Sequence, residues 1–225
     1  MTRQIVNLKQ AQSTLECIHS DLVESIQNAF GDWLKIRVFS NSLNGGVLNY
    51  KARTKAGIIH DHIEKYIRST LDSKEGCTLV SISGVFGIIL KNELFIRFKK
   101  MDNSYSPANF KTQQNTKYMQ QGQIPGFPEK PTLLFAGYIP DKTWMSIKGV
   151  YVACWVGKTL EWVDEFGKYT SEQTKMDFDF ETNKKDVFKV IERRIKIKGE
   201  QKETKRVSIK GKNKGATGIT GTDNK

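Results

Sequence analysis

The chain has 225 residues, of which 38% are apolar, and carries a net charge of +12 from 36 Lys and Arg against 24 Asp and Glu. No stretch approaches the roughly 18 consecutive apolar residues that a membrane-spanning helix needs, and the first residues lack the apolar segment of a signal peptide. Three widely spaced cysteines fit neither a disulfide framework nor a metal-binding spacing, so we expect a cytoplasmic protein without a metal site.

The positive charge is concentrated in two parts of the chain. Residues 51–120 contain twelve basic and six acidic side chains, and residues 196–225 contain nine basic and three acidic ones. Concentrated basicity without an apolar insertion face favours a nucleic acid, DNA first, or an acidic protein as partner, and not a membrane. The alternative is a solvated surface with a solubilising tail.

Apolar residues at spacings of three and four predict one amphipathic helix over residues 8–30, which Gly31 ends. This apolar stripe is expected to pack on the body of the protein, although it would also serve a homo-oligomer. The alternation of WLKIRVFS, residues 33–40, predicts a half-buried strand, and NSLNGG, residues 41–46, predicts a turn. Residues 1–50 are therefore assigned to an N-terminal helix and strand.

Residues 51–198 are predicted to form one α/β core domain, and residues 199–225 a disordered basic tail. The pattern predicts a helix, three strands, a helix, a strand, a hairpin and a final helix. These elements occupy residues 55–71, 78–83, 85–90, 94–99, 108–121, 132–139, 150–156 with 159–163, and 184–196. The expected fold class is α/β (α+β): a mixed β-sheet flanked by helices, with an αβββαβ core and an added C-terminal hairpin and helix.

The third of these strands contains the candidate binding residues. Alternation places Arg97 and Lys99 on one face of the strand, and Lys100 extends it. Two cations on one face repel each other unless solvent, an acidic partner or a phosphate lies beside them. The other candidate nucleic-acid-binding residues are basic side chains of the central block and the tail: Lys91, Lys111, Lys117, Lys205, Arg206, Lys210, Lys212 and Lys214.

The order of elements over residues 55–139 resembles the αβββαβ core of the PD-(D/E)xK nuclease-like fold. Active members hold Mg²⁺ beside the scissile phosphate with an acid on the second strand, an acid-x-lysine on the third strand and often a glutamate on the first helix. The resemblance implies that Glu64 stands for the helix acid and Lys99 for the motif lysine. Arg97 stands where the third strand requires a carboxylate, and a cation cannot ligate Mg²⁺. The implied site has lost its metal ligands and kept a positive face.

A second resemblance, over about Phe98–Phe166, rests on RFKKMD, a glutamine-rich helix, IPGFPEKPTLLFAGYIPD and VYVACWVGKTLEWVDEF. The region is similar to uncharacterised small bacterial proteins encoded beside a helix-turn-helix regulator fused to an ImmA/IrrE-type metallopeptidase. Those genes belong to modules of toxin–antitoxin or phage-defence character. The resemblance implies a partner and a genetic context, but no catalytic residue.

Three functions are compatible with these observations. The first is a non-catalytic component of a defence or toxin–antitoxin module, which binds nucleic acid or a partner protein and needs no cofactor. The second is a Mg²⁺-dependent DNA endonuclease with a migrated acid, whose catalytic residues would be Glu64, Glu93, Lys99 and Asp102. The third is a protein-interaction subunit that assembles through the N-terminal helix, residues 8–30.

Overall fold

The computed structural model describes residues 3–43, 48–108 and 111–168, so the predicted helix at 184–196 and the predicted tail lie outside the described residues. The described helices are α1 (Leu8–Leu15), α2 (His19–Leu43), α3 (Ala52–Leu71) and α4 (Gln113–Met119), with a 3₁₀ turn (Glu16–Ile18) between α1 and α2. The strands are β1 (Cys77–Ile82), β2 (Val85–Leu90), β3 (Leu94–Lys100), β4 (Thr132–Pro140), β5 (Ile147–Val156) and β6 (Thr159–Lys168). None of the described helices is both long and apolar enough to cross a membrane.

The strands form one mixed sheet in the order β1 to β6. Neighbouring strands are antiparallel except β3 and β4, which run parallel. The predicted fold class is confirmed, since a mixed sheet carries the αβββαβ order and the β5–β6 hairpin. Turn residues set the strand boundaries: Lys91 and Asn92 adopt positive φ between β2 and β3, and Gly157 does so between β5 and β6.

The N-terminal helices α1, α2 and α3 share one apolar core with the sheet. Their fully buried side chains recur at spacings of three and four: Leu15, Ile18, Leu22, Ile26, Ile59, Ile63 and Ile67. Each such burial stabilises the fold by about 1.5–3 kcal/mol relative to an exposed side chain. The stripe of the N-terminal helix is therefore packed on the body of the protein, as predicted.

The predicted strand at residues 33–40 is wrong, because these residues continue α2, and Gly31 lies inside that helix. Of these eight residues only Trp33 is buried, and its indole N–H donates to the carbonyl oxygen of Trp144 at 3.4 Å. A glycine inside a helix costs about 1 kcal/mol relative to alanine, and the burial of Trp33 outweighs this cost. The 3₁₀ turn also divides the helix that was predicted over residues 8–30.

The other apolar cluster contains α4, the segment after it and the second face of the sheet. The helix predicted over residues 108–121 is shorter, because Thr112 caps α4 by accepting a hydrogen bond from the backbone N–H of Asn115. The buried Gln121 fixes the end of α4 to the sheet. Its Nε2 donates to the carbonyl oxygens of Leu133 at 2.7 Å and Trp155 at 3.0 Å. This anchoring holds α4 over β3, where the candidate site lies.

Candidate functional site

Strands β2 and β3 separate at one end of the sheet. Their pairing extends from Leu90↔Leu94 only to Gly87↔Arg97, whereas β1 stays paired with β2 as far as Ile82↔Val85. Glycine is required at the fork, since a Cβ on Gly87 would lie 2.7 Å from the carbonyl oxygen of Ile96. The last three residues of β3 therefore have no partner in β2, and a cavity opens beside them.

This cavity, which we call the basic cavity, has a volume of about 520 Å³. It is bounded by the N-terminal half of α3, the β1–β2 turn, and the ends of β3 and β4. Its lining residues are Ala52, Arg53, Ala56, Gly57, His60, Ile63, Gly84, Val85, Phe86, Arg97, Lys99, Lys100, Ala108 and Tyr138. The lining contains four cationic side chains and no Asp or Glu, so the cavity is suited to an anion.

Arg97 is the most enclosed of these cations, with 9% of its surface exposed. Its Nη1 donates to Oδ1 of Asn115 at 2.6 Å, and its guanidinium carbon lies 5.7 Å from the centre of the Tyr118 ring. Burial lowers the pKa of the guanidinium, although arginine stays protonated at neutral pH. Among the described residues no carboxylate pairs with Arg97. Residues of α4 thus orient the guanidinium of Arg97, and an anionic ligand would stabilise its unpaired charge.

Lys99 lies two residues further along the same face of β3. Burial, followed by repulsion from Arg97, lowers the pKa of its amine to about 8. Its backbone pairs with Gly137 of β4. The two strands lie so close together there that a Cβ on Gly137 would overlap the carbonyl oxygen of Lys99. The backbone position of Lys99 is thus fixed by the β3–β4 pairing, whereas its amine is only partly solvated.

Trp144 orders a second pair of cations at the edge of the basic cavity. The ammonium groups of Lys55 and Lys100 lie 5.4 and 5.8 Å from its ring, within range of cation–π attraction. Trp144 has a φ of +59°, which is strained for a bulky side chain. Asp141 supports this conformation by accepting backbone hydrogen bonds from Met145 at 2.8 Å and from the next residue at 3.1 Å.

His60 is the histidine of the lining. Burial lowers its pKa first, and the charges of Lys99 and Arg97 lower it further against the opposing effect of Asp61 and Glu64. Its imidazole is therefore neutral at pH 7. His62, two residues later, points elsewhere, with Nδ1 lying 3.0 Å from Asp32 on α2. Within residues 3–43, 48–108 and 111–168, no group of three or more His, Cys, Asp or Glu could hold a metal ion.

The residues named for a nuclease are not brought together. Glu93 precedes β3 and Asp102 follows it, so about nine residues of extended chain, roughly 30 Å, separate the two carboxylates. Asp102 accepts backbone hydrogen bonds within its own turn. Glu64 forms an ion pair with Arg68, one helical turn along α3, at 2.7 Å. Of the four residues, only Lys99 lines the basic cavity.

The other predicted basic residues are dispersed. Lys91 lies exposed in the β2–β3 turn, at the opposite end of β3 from Lys99. Lys111 and Lys117 are exposed near and on α4 and do not line the basic cavity. The candidates of the tail lie outside the described residues: Lys205, Arg206, Lys210, Lys212 and Lys214. Arg97, Lys99 and Lys100 are the predicted residues that the fold brings together.

Sequence reasoning missed residues that lie in the cavity wall or beside the cavity. Tyr138 appeared only as part of an apolar strand, and Trp144 fell between predicted elements. Gly57 offered a signal, because a glycine inside an amphipathic helix lowers helix stability and calls for an explanation. The partners of these residues come from distant parts of the chain, which a local pattern does not reveal.

Comparison with protein-family models, with curated proteins and with solved structures finds no match to this chain.

Proposed function

We propose that this chain is a cytoplasmic, non-catalytic nucleic-acid-binding protein, DNA being the first candidate ligand, and that it holds phosphate in the basic cavity. The observation that carries the proposal is the convergence of Arg97, Lys99 and Lys100 on one cavity whose lining has no carboxylate. Cations that are partly removed from water repel one another and are stabilised by a bound anion. Arginine and lysine together are the usual ligands of phosphate oxygens in proteins.

The lining of the basic cavity has cations and no carboxylates, which fits a protein that binds nucleic acid without cleaving it. A two-carboxylate Mg²⁺ site needs acids beside the phosphate, and Arg97 occupies the position of one of them on β3. Such a role also agrees with the resemblance of the region around Phe98–Phe166 to proteins from toxin–antitoxin and phage-defence modules, and we propose that context for this chain. An acidic protein would be the alternative ligand of the same cations.

The test is DNA binding by the full-length protein across a salt series. The cavity variant Lys99→Met/Lys100→Met should lower the affinity at least tenfold, because it removes two charge-assisted contacts. It should also reduce the slope of log affinity against log salt by about one to two. Addition of Mg²⁺ should produce no cleavage.

A tail variant serves as the matched control, with glutamine at 205, 206, 210, 212 and 214 in the full-length chain. The cavity substitutions should weaken binding both with and without the tail charges, which separates the contribution of the cavity from that of the tail. If the cavity variant binds DNA with wild-type affinity and salt slope, the proposal is wrong. Salt-insensitive binding by the wild-type protein would indicate a protein partner instead.

Binding is also expected to weaken above pH 8. Only the protonated amine of Lys99 attracts phosphate, and its pKa is lowered to about 8 by burial and by Arg97. Between pH 7 and pH 9.5 the affinity should fall by up to about tenfold, the value of one charge-assisted contact. Lys99→Arg should abolish this fall, since arginine stays charged throughout the range. Identical pH profiles for both proteins would show that Lys99 does not contact the ligand.

The lowered pKa of Lys99 also makes the free energy of unfolding depend on pH. The folded-state pKa of Lys99 lies below its ordinary value of 10.5, so the unfolded state binds more protons between these two values. The free energy of unfolding should therefore rise with pH from about 8 to 10.5, and the cost of the buried charge is fully present below pH 8. This cost is on the order of 1 kcal/mol after allowance for partial exposure of the amine.

A further inference from the structure

Gly57 lies on the wall of the basic cavity inside α3. Glycine in a helix interior costs about 0.5–1 kcal/mol relative to alanine. A Cβ placed on Gly57 meets no atom within 4 Å, so packing within the described residues does not require glycine there. Ala52 and Ala56 line the same wall. This part of α3 leaves space that the described side chains do not fill.

Tyr138 provides an independent observation at the same cavity. It lines the cavity from β4, is 1% exposed, and its hydroxyl has no hydrogen-bond partner among the described residues. An unpaired buried hydroxyl costs about 1–3 kcal/mol. The ring packs against Phe30, with ring centres 6.0 Å apart, so phenylalanine would satisfy these neighbours equally well. A polar ligand that forms a hydrogen bond with the hydroxyl would explain why this position has tyrosine and not phenylalanine.

Charge and volume narrow the class of ligand. A phosphate monoester carries close to two negative charges at pH 7, because its second pKa is about 6, whereas a diester carries one. The convergence of Arg97, Lys99 and Lys100 in a lining without a carboxylate matches the charge of the monoester better than that of the diester. The volume of about 520 Å³ is that of a small-molecule site. Arg97 is 9% exposed, so a phosphate has to enter the cavity to reach it. The projecting phosphate of a strand end or of a free nucleotide is better placed to enter than a phosphate within a duplex.

We infer that the basic cavity binds the phosphate monoester of a nucleotide, either a free mononucleotide or the phosphorylated end of a nucleic acid strand. The phosphate contacts Arg97 and Lys99, the hydroxyl of Tyr138 forms a hydrogen bond with the ligand, and the nucleoside lies against α3 at Gly57. This inference rests on the proposed function and narrows it from polyanions in general to nucleotide phosphate ends.

The test compares four probes on the full-length protein. Three are one single-stranded oligonucleotide with a 5′-phosphate, with a 3′-phosphate, or with hydroxyls at both ends; the fourth is adenosine 5′-monophosphate, used as a competitor. A phosphorylated form should bind at least tenfold more tightly than the hydroxyl form. Gly57→Leu should erase this preference, because its side chain occupies the empty space, while the unfolding temperature stays the same or rises. Gly57→Ala adds one carbon and should have an intermediate effect on the preference.

Tyr138→Phe is the second variant, since it removes one oxygen and keeps the ring. It should lower the preference for the phosphorylated end several-fold without loss of stability. Competition by the mononucleotide as strong as that of the phosphorylated oligonucleotide identifies a free nucleotide as the source. Oligonucleotide binding at least tenfold tighter than mononucleotide binding identifies a strand end. Either result supports the inference.

Equal affinity for the phosphorylated and hydroxyl oligonucleotides overturns the inference, and so does a preference that survives in Gly57→Leu. The proposed function would stand in both cases if Lys99→Met/Lys100→Met still weakened binding of every oligonucleotide. Absence of oligonucleotide binding in the wild-type protein would instead remove the proposed function itself.

Discussion

Arg97→Met is expected to weaken DNA binding by about 10- to 100-fold, because a hydrogen bond to a charged group contributes about 1.5–3 kcal/mol. The hydrogen bond from Arg97 to Asn115 and the contact with Tyr118 orient the guanidinium before the ligand arrives. Little conformational entropy is then lost on binding. Methionine keeps an unbranched apolar stem beside Tyr118 and removes a buried charge, an exchange that is often neutral or stabilising.

The measurement is fluorescence anisotropy at two salt concentrations, with thermal unfolding of each variant as the check on folding. Arg97→Lys is the control, since it retains the charge and loses the planar fork that pairs with two phosphate oxygens. Its affinity should lie between those of the wild-type protein and Arg97→Met. Wild-type affinity in a folded Arg97→Met protein would place the binding surface elsewhere on the chain.

Gly137→Ala adds one methyl group and is expected to lower the free energy of unfolding by about 3 kcal/mol or more. The added Cβ would overlap the carbonyl oxygen of Lys99, and backbone cannot move aside as a flexible side chain can. Relief requires β4 to separate from β3 near the end of a paired region that extends from Leu94↔Thr132 to Lys100↔Tyr138. The displacement would also move the backbone that positions Lys99.

Thermal and denaturant unfolding measure this effect, and for a chain of this size 3 kcal/mol corresponds to a fall in Tm of about 6–12 °C. Gly57→Ala is the matched control, because it adds the same methyl group where no atom lies within 4 Å. It should raise stability by about 0.5–1 kcal/mol. A Gly137→Ala protein as stable as Gly57→Ala would show that β3 and β4 are further apart than the register implies.

Sequence patterns predicted the structure correctly where interactions between neighbouring residues determine it. The Val-, Ile- and Phe-rich runs predicted strands at residues 85–90 and 94–99, and the structure confirms the first and extends the second by one residue, to Lys100. The parallel strand β4 was readable as a continuous apolar run, because a central strand is buried on both faces. Alternation also placed Arg97 and Lys99 on one face of β3.

Sequence patterns gave a wrong prediction where contacts with distant residues outweigh the local preference for a strand. The alternating run that begins at Trp33 has the appearance of a strand, yet the contact of its indole with Trp144, far along the chain, and packing against α3 keep it helical. The candidate acids of a nuclease site are kept apart within their own elements. Glu64 pairs with Arg68 on its own helix, and Glu93 and Asp102 lie at opposite ends of β3.

The sequence by itself determined the class of fold, the order of elements after residue 51 and the excess of positive charge on β3, because these depend on hydrophobic period, turn residues and composition. Only the tertiary structure decided that three of these cations share a cavity. That cavity exists because β2 leaves β3 at Gly87 and because α3 places Gly57 and His60 at its wall. Trp144 lies near the ammonium groups of Lys55 and Lys100 at its edge. The contacts of α3 with the sheet and of Trp144 with Lys55 and Lys100 join residues far apart in the chain, so no local pattern specifies them.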